Sequence, residues 1–455
     1  MDRNETKQWA EWDHRVLWHP FTQMQEWLGE PPLLIERGEG AYLYDTEGRR
    51  YLDGVASLWC NVHGHRHPAL DRALQQQVQR VAHSTMLGLT HVPGIALARA
   101  LLERAPRSLS RVFYSDSGAT AVEVALKLAV QFWQLVGEPQ RTEFVSLTEA
   151  YHGDTIGAMS VGYSEIFHRF HKPLLFPCHK IDPPHVFRWQ RRLEPGAAVE
   201  AAVRQAREVF QRHGARLAAL IVEPLMQGAA GMWAHPVEFL RELHALTREH
   251  GTLLICDEVA TGFGRTGTLF AVEQAGIEPD LLCLGKGISG GYLPLAATLT
   301  SEEIFRAFLA PYDEFRAFFH GHTYTGNPLA CAVGLASLEV FDREQVLARV
   351  AARSAELRAH LAEEIEPLAH VGDVRQWGLM VGIELVADRA GRQPYAARER
   401  IGHRVILAAR ERGVILRPLG NVIVLMPPLC IDAAQLEELC QVTRDSIRAV
   451  TETGD

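Results

Sequence analysis

Cysteine is scarce in this sequence, and the seven cysteines form no CxxC pair. They are odd in number and scattered, and several lie in apolar runs, which is typical of buried thiols in a reducing compartment. No window approaches about 18 uninterrupted apolar residues. The polar segment 1–16 also lacks the apolar core of a secretory signal. The sequence therefore predicts a cytoplasmic protein that does not span a membrane.

Basic residues are fewer than acidic residues. The chain has 46 Lys and Arg against 55 Asp and Glu, a net charge of −9, which argues against a nucleic acid or an acidic membrane as partner. Hydrophobic residues make up 47% of the chain and charged residues 22%, as is ordinary for a globular enzyme. With 455 residues the chain can bury a large core.

Two short apolar runs near the middle of the chain each end in charged residues. Residues 252–256 lead into Asp257 and Glu258, and residues 281–284 lead through a glycine into Lys286. Buried strands that deliver charged residues at their carboxyl ends are how a parallel α/β sheet builds a site. Since an acid can pair with a pyridinium nitrogen and a lysine can form a Schiff base, these runs predict pyridoxal-phosphate chemistry.

A rival interpretation is a nucleotide site, because Gly262, Gly264 and Gly267 spell GxGxxG. A dinucleotide fingerprint needs its glycines in the strand-to-helix turn itself. Here they follow Asp257, and residues 268–274 are a poor continuation of a phosphate-binding helix. The pattern therefore favours the lysine interpretation.

Strand and helix patterns alternate from about residue 76 to 340, which predicts a doubly wound α/β sheet. The pattern then changes to a long amphipathic helix followed by short strands and further helices, an α+β arrangement. We expect a large domain at 76–343, preceded by an N-terminal segment at 1–75 and followed by a C-terminal part at 344–455; the resemblance described below implies that these two parts form one smaller domain. Residues 178–200 are predicted to form a long surface loop.

Two turns offer backbone N–H groups to an anion. Gly118 and Ala119 open a helix after a strand, where free N–H groups and the helix dipole attract phosphate. An ordinary N-cap is the alternative, but the position upstream of the candidate lysine favours phosphate binding. Gly321, His322 and Thr323 form a second candidate turn before a helix.

For several other polar residues the sequence allows two interpretations each. Tyr151 at a strand end could stack on an aromatic cofactor or belong to the core. Arg417 at the end of an apolar strand needs a carboxylate, either from the protein or from a substrate. His63, His65 and His67 could bind a metal ion, but no acid or cysteine cluster accompanies them, so packed histidines are favoured.

Taken together, the motifs resemble the class III aminotransferases of fold type I over essentially the whole chain. The resemblance implies a large, mostly parallel, doubly wound sheet domain and a smaller α+β domain built from both termini. Three motifs (the WHPFTQM, YHGDTIGAMSV and RPLG…MPP segments) point to the branch that acts in biotin biosynthesis. The motifs are LWHPFTQM (17–24), VHGHRHP (62–68), FYSDSGATAVEVALK (113–127), YHGDTIGAMSVG (151–162), IVEPLMQGAAGM (221–232), DEVATGFGRTG (257–267), GKGISGGYLP (285–294), HGHTYTGNPLACA (320–332) and RPLG…MPP (417–428).

The resemblance implies roles around pyridoxal 5′-phosphate and no metal ion. Lys286 would form the Schiff base and carry a proton between the substrate carbon and C4′ of the cofactor. Asp257 would keep the pyridine nitrogen protonated, which makes the ring an electron sink. Tyr151 would stack on or flank the ring, and Val259 would pack beneath it.

The resemblance also implies a homodimer with shared sites. Gly118 and Ala119 would bind the phosphate through backbone N–H groups. His322 and Thr323 would belong to the cofactor-binding residues, with Thr323 reaching in from the partner subunit.

The acceptor implied by the resemblance is 8-amino-7-oxononanoate, which would become 7,8-diaminononanoate in a ping-pong reaction. Arg417 would clamp its carboxylate, and Gly321 would line its path. The implied donor is S-adenosylmethionine, with lysine as the alternative. Other enzyme alternatives are an ω-aminotransferase for ornithine, 4-aminobutyrate or a diamine, and an aminomutase. A non-catalytic homologue is disfavoured because Lys286 and Asp257 are intact.

The donor pocket departs from the pattern of the branch at three positions. Phe21 stands where a tyrosine is usual, Leu58 precedes Trp59 where two tryptophans are usual, and Val424 replaces a tyrosine. These changes predict a more apolar and roomier pocket, and the pattern resembles relatives that use lysine. Phe21, Leu58 and Trp59 are therefore the candidate substrate-binding residues at this end, together with Tyr151 and Lys286.

Overall fold

The computed structural model describes residues 3–452. Within that range the strands are β1 (Ile35–Glu39), β2 (Tyr42–Asp45), β3 (Arg50–Asp53), β4 (Leu109–Ser115), β5 (Glu143–Leu147), β6 (His179–Ile181), β7 (Leu217–Val222), β8 (Met226–Gln227), β9 (Trp233–Ala234), β10 (Leu253–Asp257), β11 (Leu281–Leu284), β12 (Ala296–Ser301), β13 (Val371–Trp377), β14 (Met380–Leu385), β15 (Val414–Ile415), β16 (Arg417–Leu419) and β17 (Val422–Leu425).

The α-helices of the described range include several single turns. They are α1 (Arg3–Val16), α2 (Met24–Trp27), α3 (Ala56–Trp59), α4 (Pro68–Val78), α5 (Val92–Leu102), α6 (Gly118–Leu135), α7 (Ile156–Val161), α8 (Glu165–His168), α9 (Pro195–His213), α10 (Val237–Glu249), α11 (Val272–Ala275), α12 (Glu302–Ala307), α13 (Pro328–Arg343), α14 (Val346–His360), α15 (Ile401–Glu411) and α16 (Ala433–Thr451). Within residues 3–452, no helix combines the length and apolar character that crossing a bilayer requires.

The largest sheet has the order β4-β12-β11-β10-β7-β5-β6. Strands β11, β10, β7, β5 and β6 pair in parallel, and β12 is antiparallel to both β11 and β4. All strands but β12 therefore point the same way, and their carboxyl ends meet at one edge. This mostly parallel sheet confirms the α/β fold predicted from the strand–helix alternation.

Alternating side chains of the central strands enter two different cores. In β10, Leu253 and Ile255 pack on one face with α6, whereas Leu254 and Cys256 pack on the other face with α10. Successive side chains of a strand point to opposite faces, so a sheet covered by helices on both faces needs continuous apolar runs. This is why β7, β10 and β11 are apolar along almost their whole length and buried throughout.

Two smaller four-stranded sheets accompany the large one. The first has the order β1-β2-β3-β15, in which β15 from near the end of the chain pairs in parallel with β3. The second has the order β13-β14-β17-β16, and β8 and β9 form a separate hairpin. The β3–β15 pairing brings segments from both ends of the chain into one sheet, while the division at residues 75 and 343 stays a prediction.

Two interpretations of the sequence, a surface loop and a rival nucleotide-binding turn, can be compared with this fold. The predicted surface loop at 178–200 is wrong at both ends, since β6 occupies 179–181 and α9 begins at Pro195. A three-residue strand is too short to show a period in the sequence. In the GxGxxG segment no helix begins among the glycines, and the α11 helix that follows has four residues, so the segment lacks the phosphate-binding helix that the nucleotide interpretation needs.

Candidate active site

The candidate catalytic residues meet at the carboxyl edge of the large sheet. Asp257 ends β10, and Lys286 follows β11 through Gly285. Tyr151 lies beyond β5, and Gly118 begins α6 directly after β4. All four border one cavity of about 440 Å³, a size suited to a cofactor. The structure therefore brings these four predicted residues together around one cavity.

Asp257 is held by a histidine that the sequence interpretation did not select. His152 Nδ1 lies 2.7 Å from Asp257 Oδ2, and both side chains are almost completely buried. The other oxygen, Oδ1, accepts a hydrogen bond from the backbone N–H of Val259 at 3.0 Å. These two contacts orient the carboxylate in the cavity.

Glu258 has a different role from its neighbour. Its carboxylate accepts hydrogen bonds from the N–H groups of Ala271 and Val272, at 2.7 and 2.8 Å, and from the hydroxyl of Thr261. Burial raises the pKa of Glu258 to about 8. Glu258 therefore anchors the segment before α11 and leaves Asp257 as the acid that borders the cavity.

The amine of Lys286 is in a water-poor setting. Burial lowers its pKa, and the carboxylates of Asp257 and Glu223 act in the opposite direction. Nζ lies 5.5 Å from the ring centroid of Trp59. Lys286 also has a φ of 41°, in the left-handed region that costs a side-chain-bearing residue energy. A lysine with a lowered pKa is more often neutral, which is the form that attacks a carbonyl.

The start of α6 forms a cradle that leaves no room for a larger side chain. A Cβ added to Gly118 would lie 2.4 Å from Cγ1 of Val259, and one added to Gly153 would lie 2.3 Å from Cβ of Ala119. The first-turn N–H groups of Gly118 and Ala119 have no intrahelical acceptor. Because they border the cavity, they suit a phosphate group.

Tyr151 is fixed from two sides. Its hydroxyl donates to Asp154 Oδ2 at 2.8 Å, and its backbone N–H donates to Glu223 Oε1 at 3.2 Å. Burial and the bond to Asp154 raise the pKa of Tyr151 well above its ordinary value, so the phenol stays neutral. Glu223 Oε2 accepts from the N–H of Gly228 at 2.9 Å, and burial raises the pKa of Glu223 to about 7.

The residues around this cavity fit pyridoxal 5′-phosphate. They provide an amine, an acid held by a histidine, an aromatic ring, an apolar residue and free N–H groups at a helix start. His152 also borders the cavity, and its Nε2 is buried with no hydrogen-bond partner among the described residues. The packing of Val259 requires glycine at position 118, because any Cβ there would overlap the valine side chain.

A second cavity, of about 500 Å³, is bordered by two of the other predicted substrate residues. Phe21 and Arg417 both border it. Nε of Arg417 is buried, with no hydrogen-bond partner in residues 3–452, and burial lowers the pKa of the guanidinium. Phe21 packs edge-on against Phe167 at 5.7 Å, and Phe167 packs against Tyr151. The two cavities are therefore neighbours.

The segment between the two cavities is strained. Ser57 borders the second cavity and Trp59 the first, and both have positive φ, at 60° and 64°. Such backbone strain in side-chain-bearing residues is concentrated at functional sites. Leu58 between them is 48% exposed, and Nε1 of Trp59 is buried without a partner among the described residues.

Val424 does not enlarge the pocket. It is fully buried in a cluster with Trp59 and four methionines, and it borders neither cavity. Flexible methionine side chains fill irregular space well. The prediction of a roomier pocket is therefore wrong at this position, because neighbouring side chains occupy the volume. The methionines are Met226, Met232, Met380 and Met426.

Gly321, His322 and Thr323 lie outside both cavities of their own chain. Gly321 and Thr323 are exposed, and Nδ1 of His322 lies 2.8 Å from Oδ2 of Asp116, just before α6. The predicted helix after this turn is α13, which has Pro328 in its first turn and Asn327 as its cap.

The three histidines of the VHGHRHP motif have separate partners. His63 bonds to Ser337, His65 to Asp53 and His67 to Glu344. The three rings therefore serve three different contacts, which is the packed arrangement that the sequence favoured.

Two residues of the site, His152 and Glu223, were missed as functional residues. Both lie in motifs quoted for the family resemblance: Glu223 directly follows β7, and His152 lies five residues beyond the end of β5. Their position at strand ends was a usable signal, but only the fold shows what they contact.

The chain belongs to the class III aminotransferase family, whose model matches residues 24–447. Among relatives, it is 54% identical to the adenosylmethionine-8-amino-7-oxononanoate aminotransferase of Nitratidesulfovibrio vulgaris, over 97% of this chain and 82% of that protein. It is 48% identical to the protein of the same name from Geobacter sulfurreducens, over 99% of this chain and all of that protein.

Solved structures agree with this relationship. The adenosylmethionine-8-amino-7-oxononanoate aminotransferase of Methanocaldococcus jannaschii superposes with a TM-score of 0.92 at 42% identity, covering 99% of this chain and all of that one. A PLP-bound amine transaminase from an uncultivated Pseudomonas species gives a TM-score of 0.91 at 37% identity, covering 96% and 99%. The predicted family and fold are thus confirmed.

Proposed function

We propose that this chain is a pyridoxal-phosphate-dependent aminotransferase that converts 8-amino-7-oxononanoate to 7,8-diaminononanoate in biotin biosynthesis, with S-adenosylmethionine as donor. The observation that carries the proposal is the pair of neighbouring cavities. One has Lys286 and Asp257 at the sheet edge, and the other has Arg417, whose Nε has no hydrogen-bond partner within residues 3–452. The names of the relatives supply the particular substrates.

The cofactor, when bound, supplies an aldehyde that exchanges with amines and a ring that accepts the electron pair left by a departing proton. The phosphate would be held by the N–H groups of Gly118 and Ala119. Asp257, oriented by His152, would keep the ring nitrogen protonated, and Val259 and Tyr151 would position the ring. The fit of these residues around one cavity supports the assignment.

Lys286 would move the proton. In the first half of the cycle, its Nζ would take a proton from the amine-bearing carbon of the donor and deliver it to C4′ of the cofactor. In the second half, Nζ would take a proton from C4′ and deliver it to the carbon of the acceptor that receives the amine. The lowered pKa of Lys286 supports this role, because a base must be neutral before it can accept a proton. Trp59, beside Nζ, would exclude water from the transfer.

Arg417 would bind the carboxylate of the acceptor. A planar guanidinium can hold a carboxylate through two hydrogen bonds. Its Nε is buried with no hydrogen-bond partner in the described part of the chain, which supports a ligand as that partner. Phe21 in the same cavity, together with Leu58 and Trp59 on the segment between the cavities, would line the path of the substrate chain.

We further propose a homodimer with shared active sites, working in the cytoplasm. Large apolar side chains are exposed along segments 87–95 and 309–324, including Leu87, Val92 and Tyr312. Exposed apolar surface of this extent is typical of an interface. The same region contains Thr323, which would reach the phosphate of the partner subunit. The unpaired state of all seven cysteines supports a reducing compartment.

The same acceptor with L-lysine as donor is the second candidate. It is favoured by Phe21 and Leu58, where the S-adenosylmethionine branch usually has a tyrosine and a tryptophan. A donor half-reaction separates the two candidates. Purified, cofactor-loaded protein is mixed with either donor, and the visible absorbance of the aldehyde form is followed as the amine form replaces it.

We expect S-adenosylmethionine alone to drive this change. A response to lysine alone would transfer the proposal to the lysine-dependent reaction. If neither donor reacts but 4-aminobutyrate or ornithine does, the proposed acceptor is also wrong and the chain is a different ω-aminotransferase. Direct measurement of 7,8-diaminononanoate in the full reaction tests the acceptor separately.

A further inference from the structure

A cluster of possible metal ligands lies at the opposite edge of the large sheet from Lys286. Glu143 is the first residue of β5, His179 is the first residue of β6, and His213 is the last residue of α9. Since β5 and β6 are parallel, both strands start at the amino edge of the sheet. Three elements far apart in the sequence therefore bring these side chains together.

The geometry suits a small divalent cation. Oε2 of Glu143 lies 2.7 Å from Nε2 of His179 and 3.6 Å from Nδ1 of His213. The three ligand atoms all lie within 4.8 Å of one another. Zinc bonds of about 2.0–2.2 Å at tetrahedral angles place ligand atoms roughly 3.3–3.5 Å apart. Small side-chain shifts are enough to reach that spacing.

The hydrogen bonds around the cluster orient its carboxylate. Nε of Arg216 donates to Oε1 of Glu143 at 2.6 Å. This bond leaves the other oxygen, Oε2, facing His179 and His213.

Arg216 occupies part of the space that an ion would use. Its Nη2 lies 2.7 Å from Nδ1 of His213, so this nitrogen presents its lone pair to the cluster. A metal ion would take that lone pair, and the guanidinium would turn away while keeping its bond to the far oxygen of Glu143. Outer hydrogen bonds of this kind orient metal-binding carboxylates.

We propose that Glu143, His179 and His213 form a binding site for zinc or a similar divalent transition-metal ion, with water as the fourth ligand. A cavity of about 540 Å³ borders Glu143, His179 and Arg216 and leaves room for that water. The site goes beyond the aminotransferase reaction. It ties the edge strand β6 to β5 and to the end of α9, so its role is structural.

The test uses cofactor-loaded protein that has been stripped with a chelator and then dialysed against zinc chloride. We expect one zinc ion per chain and a higher thermal midpoint with zinc, because a ligand that binds only the folded state stabilises it. His179→Gln and His213→Gln should each weaken zinc binding by about tenfold or more, since each removes a direct ligand. Turnover should not change in either variant.

His360→Gln is the matched control. His360 lies 2.7 Å from Glu364, which also bonds to Arg444, so this cluster has a histidine, an acid and an arginine but lacks a second imidazole. This variant should retain zinc in full. Melting in the presence of chelator checks that every variant folds. The proposal is overturned if the wild type retains no zinc, or if both His179→Gln and His213→Gln retain it unchanged.

Discussion

Removal of Arg417 gives the sharpest test of the proposed acceptor site. In Arg417→Ala the acceptor carboxylate would enter the second cavity without its cationic partner. Loss of one member of a desolvated charge pair costs about 2–5 kcal/mol. This corresponds to a loss of roughly 30-fold to several thousand-fold in acceptor affinity.

The free protein should tolerate this change. Nε of Arg417 has no hydrogen-bond partner in residues 3–452, and burial already disfavours the charge. The truncation therefore leaves no known protein acceptor of Nε unsatisfied, and we expect the free energy of unfolding to change by less than about 1 kcal/mol. Affinity for the acceptor and stability should thus respond differently to one substitution.

The assay is steady-state kinetics with 8-amino-7-oxononanoate as the varied substrate, together with urea unfolding. Arg400→Ala is the matched control, because Arg400 borders the same cavity but lies 3.5 Å from Glu30 and is 42% exposed. Exposed ion pairs contribute about 0–1 kcal/mol, so this variant should change acceptor affinity little. An unchanged acceptor affinity in Arg417→Ala, or an equal loss in Arg400→Ala, would refute the assignment.

Three further predictions concern the first cavity. Lys286→Ala should abolish turnover while size-exclusion chromatography still shows the proposed homodimer; dissociation or unfolding would mean that the lysine is structural. Gly118→Ala should weaken cofactor retention and lower the free energy of unfolding by about 1–3 kcal/mol, because the new Cβ would overlap Val259. Gly196→Ala is the control: its Cβ meets no neighbour within 4 Å, so this variant should be as stable as the wild type. Burial raises the pKa of Glu223 to about 7, so the folded protein binds a proton at this carboxyl more tightly than the unfolded chain does. The free energy of unfolding should therefore decrease as the pH rises from about 5 to 7. Glu223→Gln should remove up to about 3 kcal/mol of this decrease, measured by urea unfolding at several pH values. A variant whose stability depends on pH as in the wild type would contradict the raised pKa.

The strands that carry the site were predictable because buried parallel strands have a distinct composition. The runs before Asp257 and Lys286 are continuous and apolar, and both proved to be central strands. The short strand β6 was missed, since three residues with one buried apolar side chain show no period. His179 at its start was consequently placed in a loop.

Side-chain contacts over long sequence distances were beyond the reach of the sequence. His152 and Asp257 are separated by 105 residues, yet their side chains form one hydrogen-bonded unit. Val424 was interpreted as a lost pocket residue, but methionines from other segments fill the space around it. No local pattern records which distant side chains occupy a volume.

The sequence by itself determined the family, the α/β class and the residues that end the central strands, because apolar runs and their terminal residues are local features. The tertiary structure decided which of the two adjacent acids, Asp257 or Glu258, serves the site. It turned Glu258 towards backbone N–H groups while Asp257 borders the cavity. It also separated Arg417 into its own cavity and assembled the Glu143 cluster at the opposite edge. The physical reason is that parallel strands gather their ends at two edges of one sheet, so residues remote in the chain become neighbours only after the strands have paired.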